Sequence, residues 1–411
     1  MCRILVTAAY EPVHPSVHDL AAVLKEHGYK IVFVGLECFN PLGPSMTGLG
    51  IYDAIHELDA PRWLDGLIGS RCKPRGGLYK KLVRRSVRGA LRAFPKALLF
   101  PRQVTGQMRQ ALGGADYDFV IAIDKGGMGL ASALGGVRDI YYYSLELYTK
   151  TDIVTRTYPL VGALWNLERR NAGLIRYAVI QDKSRWQVLK EDLDLTAAHP
   201  VYLPVSEFPA KRDISRGYWH RKYGLTPETK ILLCYGQTRP ERGCIEIARS
   251  ASNLPPGWRL VFHGPCTDRT EADILRAAAG APVIVSRELI DFEQRDELIA
   301  GADVGLAIYK DNSQNDILTG SSSEKIALYL KWGCPVVACR YPSYEHLENE
   351  HCAYLIDGLS RIPDAVSAIE RDLETRSRAA RQCFENHYRA DRNLERAVVQ
   401  ILAGAVPQNT R

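Results

Sequence analysis

The sequence predicts an α/β protein of two doubly wound, Rossmann-like domains, and three observations predict it. The chain has 411 residues, more than a single hydrophobic core ordinarily serves. Short, nearly continuous apolar runs alternate with helix-length stretches, the pattern of parallel strands covered on both faces. These runs fall into two series, as two sheets require.

The first series is Arg3–Ala8, Lys30–Gly35, Asp118–Asp124, Arg138–Tyr143, Arg176–Gln181 and Val201–Leu203. The second is Lys230–Gly236, Trp258–Gly264, Pro282–Ser286, Asp303–Ile308, Pro335–Cys339 and Ala353–Ile356. The join is expected near Pro204–Arg216, where VYLP gives way to a polar, proline-containing stretch. The expected organisation is a first Rossmann-like domain over 1–205 with a basic insertion at about 66–115, a second over 206–375, and closing helices over 376–411 that pack back across the join. Ligands of open α/β sheets bind beyond the carboxyl ends of the strands. Two such sheets facing a central cleft suit a reaction with two substrates, one held by each half.

Composition excludes several classes. Apolar residues make up 46% and charged residues 24%, which is ordinary for a globular protein and rules out disordered or collagen-like chains. The ten cysteines are scattered, with no C-x-x-C pair and no Cys/His cluster at zinc spacing. They read as small core hydrophobes of a reduced chain, as in the runs around Cys234 and Cys339. The opening run of MCRILVTAAYEP ends at Glu11, too soon for a signal-peptide core. No run approaches the ~18 apolar residues of a membrane span. The expectation is a cytoplasmic protein, peripheral at most on the inner face of the plasma membrane.

The net charge of +6 is concentrated. No acidic residue lies between Asp65 and Asp116, while twelve lysines and arginines run from Arg71 to Arg109. Within LYKKLVRRSVRGALRAFPKALLF, Leu82, Val83, Val87, Ala90, Leu91 and Phe94 recur at roughly helical spacing among the cations. Basic amphipathic helices of this kind lie on anionic membranes. A solvated helix and a nucleic-acid patch are the other readings. The latter is disfavoured because no recognition motif or stacking aromatics accompany the charge.

One motif carries the chemistry. Gly320-Ser-Ser-Ser-Glu-Lys is expected to open a helix, with Ser321-x-x-Glu324 at capping-box spacing. A helix start offers free N–H groups and a positive dipole end to an anion. Ser322 and Ser323 add hydroxyls, and Lys325 adds a full charge. The plain alternative is an ordinary capped helix. Arg242, just before Gly243 and after the strand ending at Gly236, is a second cation for the same anion, with Arg239 as its neighbour. No aspartate pair suited to Mg²⁺ is evident, so no metal is expected.

With these residues in view, the chain resembles the retaining glycosyltransferases of the GT-B fold, the family-4 group in particular. The likeness is strongest from about Ile231 to Ile356, through ILLCYGQTRPERG, WRLVFHGPC, RDELIAGADVGLAIY and SSSEKIALYLKWGCPVVAC. In the first half MCRILVTAAYEP, YDFVIAID, YYYSLELY and VYLPVSE stand in the expected order. The resemblance implies a nucleotide-diphosphate sugar as co-substrate, no separate cofactor, and a saccharide or lipid-linked acceptor. It implies retention by front-face attack, the departing phosphate taking the acceptor proton. The residues expected at the donor diphosphate are Gly236, Arg239, Gly320, Ser321, Ser322 and Ser323, with Arg242, Lys325 and Glu146 as catalytic candidates. His14, His18 and Asp124 follow strands on the acceptor side.

The sequence departs from the family's pattern in places. Leu328 stands where a ribose-holding glutamate is common, with Glu324 a turn earlier, and Gln237 replaces a basic residue. Asp311 and Asp316 lie in the donor loop without matching its usual acidic position, and the loop EPVHPSVHD lacks paired glycines. Two other functions stay open: a nucleotide-sugar 2-epimerase, which shares this fold, and an inactive nucleotide-sugar-binding protein.

Overall fold

The structure is a computed structural model and describes residues 2–10, 13–36, 50–59, 95–136, 139–211, 214, 216–290 and 292–405. The chain divides into two compact units, Met1–Leu203 with Leu394–Arg411, and Pro204–Asn393.

In the first unit the described strands are β1 (Arg3–Ala8), β2 (Lys30–Leu36), β3 (Ala54–Leu58), β4 (Phe119–Ile123), β5 (Ile140–Tyr143), β6 (Ile175–Ile180) and β7 (His199–Tyr202). They form one sheet in the order β3-β2-β1-β4-β5-β6-β7, every pair parallel. The order reverses between β1 and β4, where Val6 has Phe33 on one side and Ile121 on the other. β1 and β4 are buried on both faces because helices such as Pro15–Glu26 and Asp124–Leu134 cover the sheet. The edge strand β3, read from sequence as part of a long gap, is only half-buried and carries His56 and Glu57. A short polar edge strand gives no apolar run to detect.

In the second unit β8 (Lys230–Tyr235), β9 (Trp258–His263), β10 (Val283–Ser286), β11 (Val304–Ala307), β12 (Val336–Cys339) and β13 (Ala353–Ile356) form a parallel sheet ordered β10-β9-β8-β11-β12-β13. Successive residues of β8 point to opposite faces. Ile231 and Leu233 pack with Trp219, Val261, Ile326 and Tyr329. Leu232 packs on the other face with Ile247, Leu260, Phe262 and Val366. That two-sided burial is why ILLCY is apolar without alternation.

Among the described residues no helix is long and apolar enough to cross a membrane. The basic amphipathic run 78–94 and Glu11 lie outside the described residues. Of the basic stretch, Lys96 donates to the Ser132 carbonyl at 2.9 Å, and Arg102 and Arg109 are exposed. Cys244, Cys334, Cys352 and Cys383 are buried free thiols.

Candidate active site

The second sheet reverses its order between β8 and β11, the place where doubly wound sheets take ligands. Gly236 follows β8 there with φ of 111°, a conformation that side chains rarely adopt. A Cβ at Gly236 would lie 3.9 Å from Lys325 Nζ. Tyr309 enters from beyond β11, and Lys325 Nζ stands 4.7 Å from its ring centroid. The guanidinium of Arg242 stands 5.6 Å from the same ring. The ring thus seats both cations, attracting each through its π face. Arg242 Nη1 also donates to Asp316 Oδ1 at 2.9 Å, and Asp316 accepts from Ser313 Oγ at 3.0 Å. Arg239 is exposed just before the short turn Pro240–Arg242.

The helix that carries Lys325 begins later than its sequence suggests. It spans Glu324–Lys331, its N-cap is Ser323, and the cap side chain makes no bond to the helix backbone. The Ser321–Glu324 capping box is therefore not formed. Tyr309 and Arg295 account for the difference. The Ser323 hydroxyl bonds Tyr309 Oη at 2.8 Å, and Glu324 accepts from Arg295 at 2.5 Å. Arg295, almost fully buried, also donates to Glu207 at 2.9 Å. Burial pushes the Glu207 carboxyl up to about 7, against the pull of Arg295. Leu328 is fully buried in the core, so that position presents no polar group.

Four neighbours fix the loop leading into this helix. Tyr341 Oη donates to the Tyr309 carbonyl at 3.1 Å, and Ser343 Oγ to the Ile317 carbonyl at 2.7 Å. Thr319 bonds Tyr344. Tyr388, at the end of the π-helical turn Phe384–Tyr388, donates to the Gly320 carbonyl at 2.9 Å. Gly320 admits no side chain, since a Cβ would fall 1.9 Å from the Ser343 carbonyl oxygen. The Ser321 carbonyl accepts from Val205 N–H at 2.9 Å, and Ser322 N–H donates to the Thr319 carbonyl at 3.2 Å.

The other sequence candidates lie in the first unit. His14 caps the helix Pro15–Glu26 by accepting from Ser16 N–H at 3.2 Å. His18 is buried, its Nδ1 bonded to Tyr52 Oη at 2.7 Å. Burial, with His14 adding to it, lowers its pKa to about 4. Asp124 opens the helix Asp124–Leu134 with φ of 47° and is 2% exposed. Burial pushes its carboxyl up to about 7, opposed by Lys125 and by the N–H groups of Glu146 and Leu145. Glu146, beyond β5, is half-buried.

The structure thus gathers Arg242, Ser323 and Lys325 around Tyr309, with Gly236 beside Lys325, and it sets Asp124 beside Glu146. Tyr309 is the member of the first group that sequence reasoning missed, and Asp316, noted there only as a donor-loop acid, is the partner of Arg242. Asp316 is separated from Arg242 by 74 residues, so no local spacing marks the pair. Among the described residues no group of three or more His, Cys, Asp or Glu could hold a metal ion.

The pair of parallel sheets matches solved structures of the GT-B fold, and that is the fold of this chain. Sucrose-phosphate synthase from Thermosynechococcus elongatus matches over 99% of this chain and 100% of its own, with a TM-score of 0.69 and 12% identity. WaaG, a glycosyltransferase involved in lipopolysaccharide biosynthesis, matches over 97% and 99% with a TM-score of 0.61 and 13% identity. Anabaena Alr3699/HepE, solved with UDP-glucose, matches over 98% and 100% with a TM-score of 0.64 and 10% identity. No protein-family model matches the sequence, and no curated protein matches it.

Proposed function

We propose that this protein is a glycosyltransferase that moves a sugar from a nucleotide-diphosphate donor to a saccharide or lipid-linked acceptor. The observation that carries the reading is the seating of Lys325 and Arg242 on one ring, beside Gly236, at the reversal of strand order. Two cations and a helix start suit a diphosphate. The structures of Alr3699/HepE with UDP-glucose and with UDP support the same reading.

In the proposed reaction the acceptor hydroxyl oxygen forms a bond to the anomeric carbon while the bond from that carbon to the β-phosphate oxygen breaks. The hydroxyl proton passes to the departing phosphate, and configuration is retained. Negative charge grows on the diphosphate as the bond breaks. Lys325, Arg242 and the N–H groups near Ser323 stabilise it in place, without a metal. Gly320, Ser321, Ser322 and Arg239 border the same anion. His14, His18, Asp124 and Glu146 belong to the acceptor side. The enzyme acts in the cytoplasm, with an anionic membrane surface bringing it to a lipid-linked acceptor.

The test is release of nucleoside diphosphate from a panel of nucleotide sugars, with and without saccharide acceptors. Acceptor-dependent release supports transfer. Epimerised donor without acceptor overturns it in favour of an isomerase. The buried Leu328 favours a second reading, a binding protein without catalysis, and tight UDP binding with no turnover across the panel selects it.

A further inference from the structure

Three consecutive carbonyls beyond β5 are each held by a buried side chain. Ser144 O accepts from Gln181 Nε2 at 2.9 Å, Leu145 O from Arg185 Nη2 at 2.7 Å, and Glu146 O from Lys125 Nζ at 2.9 Å. The N–H groups of Leu145 and Glu146 both donate to Asp124 Oδ1, at 2.7 and 3.0 Å. Asp124, Lys125, Gln181 and Arg185 are 2%, 1%, 1% and 0% exposed. The frame continues inward, where Lys125 pairs with Glu168 at 3.7 Å and Tyr142 donates to Glu168.

Such a frame is expensive for the turn it holds. Moving an ion out of water costs several kcal/mol, and pairing only partly offsets it. Two acids and two bases are buried here, whereas the backbone of a surface turn needs no more than water. Asp124 adds a left-handed conformation that non-glycine residues rarely adopt, a strain that gathers at functional sites. A turn whose carbonyls and N–H groups are held in this way is rigid and has one geometry. What it makes rigid is the peptide of Glu146, beyond the carboxyl end of β5 and one strand from the order reversal between β1 and β4, the place where such sheets take ligands. The Glu146 carboxylate itself is within electrostatic reach of both Arg185 and Asp124.

We propose that Asp124, Lys125 and Arg185 are positioning residues that fix Glu146 to accept a hydrogen bond from a hydroxyl of a bound sugar. None of the three touches the sugar; each acts through the peptide that carries Glu146. The proposal rests on the glycosyl-transfer reading.

A double-mutant cycle in the full chain tests it, measuring nucleoside diphosphate release with the donor and acceptor that turn over fastest, UDP-glucose being tried first. Glu146→Gln keeps an acceptor oxygen but loses its charge, and is expected to lower kcat by about tenfold, the difference between a charged and a neutral hydrogen bond. Asp124→Asn, nearly isosteric, is expected to lower kcat by about tenfold with donor KM within about twofold, as for loss of an interaction made in the transition state. The double variant should then be no slower than Glu146→Gln, because residues acting through one group are not additive. Losses that multiply overturn the proposal while leaving the transferase reading intact. If Asp124→Asn does not fold, judged by its melting curve, Arg185→Lys replaces it in the cycle. A wild-type chain that turns over no nucleotide sugar overturns the transferase reading and this inference together.

Discussion

Lys325 and Arg242 share a seat on Tyr309, and their substitution should separate charge from packing. Lys325→Ala and Arg242→Ala should each lower turnover by about 100-fold or more, because a donor aimed at developing charge contributes on that scale. Their melting temperatures should stay near that of the parent, since neither side chain belongs to the core. Near-parental turnover in both would remove the diphosphate assignment. Tyr309→Leu keeps bulk and loses the π face, so UDP affinity measured by calorimetry should weaken about twofold to fivefold, one cation–π contact being ~0.5–1 kcal/mol. Unchanged affinity would show that the ring is only a spacer. The cations were legible in the sequence because Arg242-Gly243 and Ser-Glu-Lys are local patterns. The ring was not, since a lone tyrosine beyond an apolar strand has no spacing to mark it.

At the scale of elements, the loop into Glu324–Lys331 is held from outside, not by its own cap. Gly320→Ala drives a Cβ against the Ser343 carbonyl, and overpacking of that kind should destabilise by about 1–3 kcal/mol in urea melts. Tyr388→Phe removes the donor to the Gly320 carbonyl and should cost about 1–3 kcal/mol for the same reason an unpaired buried acceptor does. A parental midpoint for both would mean that the loop relaxes freely. The sequence pattern misled here in an instructive way. Ser321 and Glu324 have the spacing of a reciprocal cap, but Arg295 outbids the helix for Glu324, and Arg295 is remote in sequence. The strands were legible wherever burial on both faces made them apolar, and illegible at the polar edge β3.

The molecule as a whole contains buried titratable groups that pull stability in opposite directions with pH. His263, 2% exposed and bonded to Ser286 Oγ at 2.9 Å, has its pKa lowered to about 4 by burial, with Lys222 adding to the effect. His18 behaves alike. A lowered histidine pKa gives stability that is present above about 6.5 and lost as pH falls through about 4. The raised carboxyls of Asp124 and Glu207 do the reverse, giving stability present at acid pH and lost as pH rises through about 7. A single melting curve therefore mixes both slopes, and a difference between variants separates them. His263→Asn keeps a partner for Ser286, and relative to it the parent should lose on the order of 3 kcal/mol between pH 6.5 and 4. Parallel pH profiles for the two proteins would contradict the burial argument.

The division of the chain also sets an order of assembly during synthesis. Unit two is one uninterrupted stretch, Pro204–Asn393, whereas unit one is completed by Leu394–Arg411. Within unit one, Tyr141 Oη donates to the Ile401 carbonyl at 3.1 Å, and His27 pairs with Glu395 at 3.1 Å. A chain emerging from the ribosome can therefore finish its second unit while its first still lacks a helix. Domains ordinarily fold in the order they are made. In this protein the half translated first is the last to close.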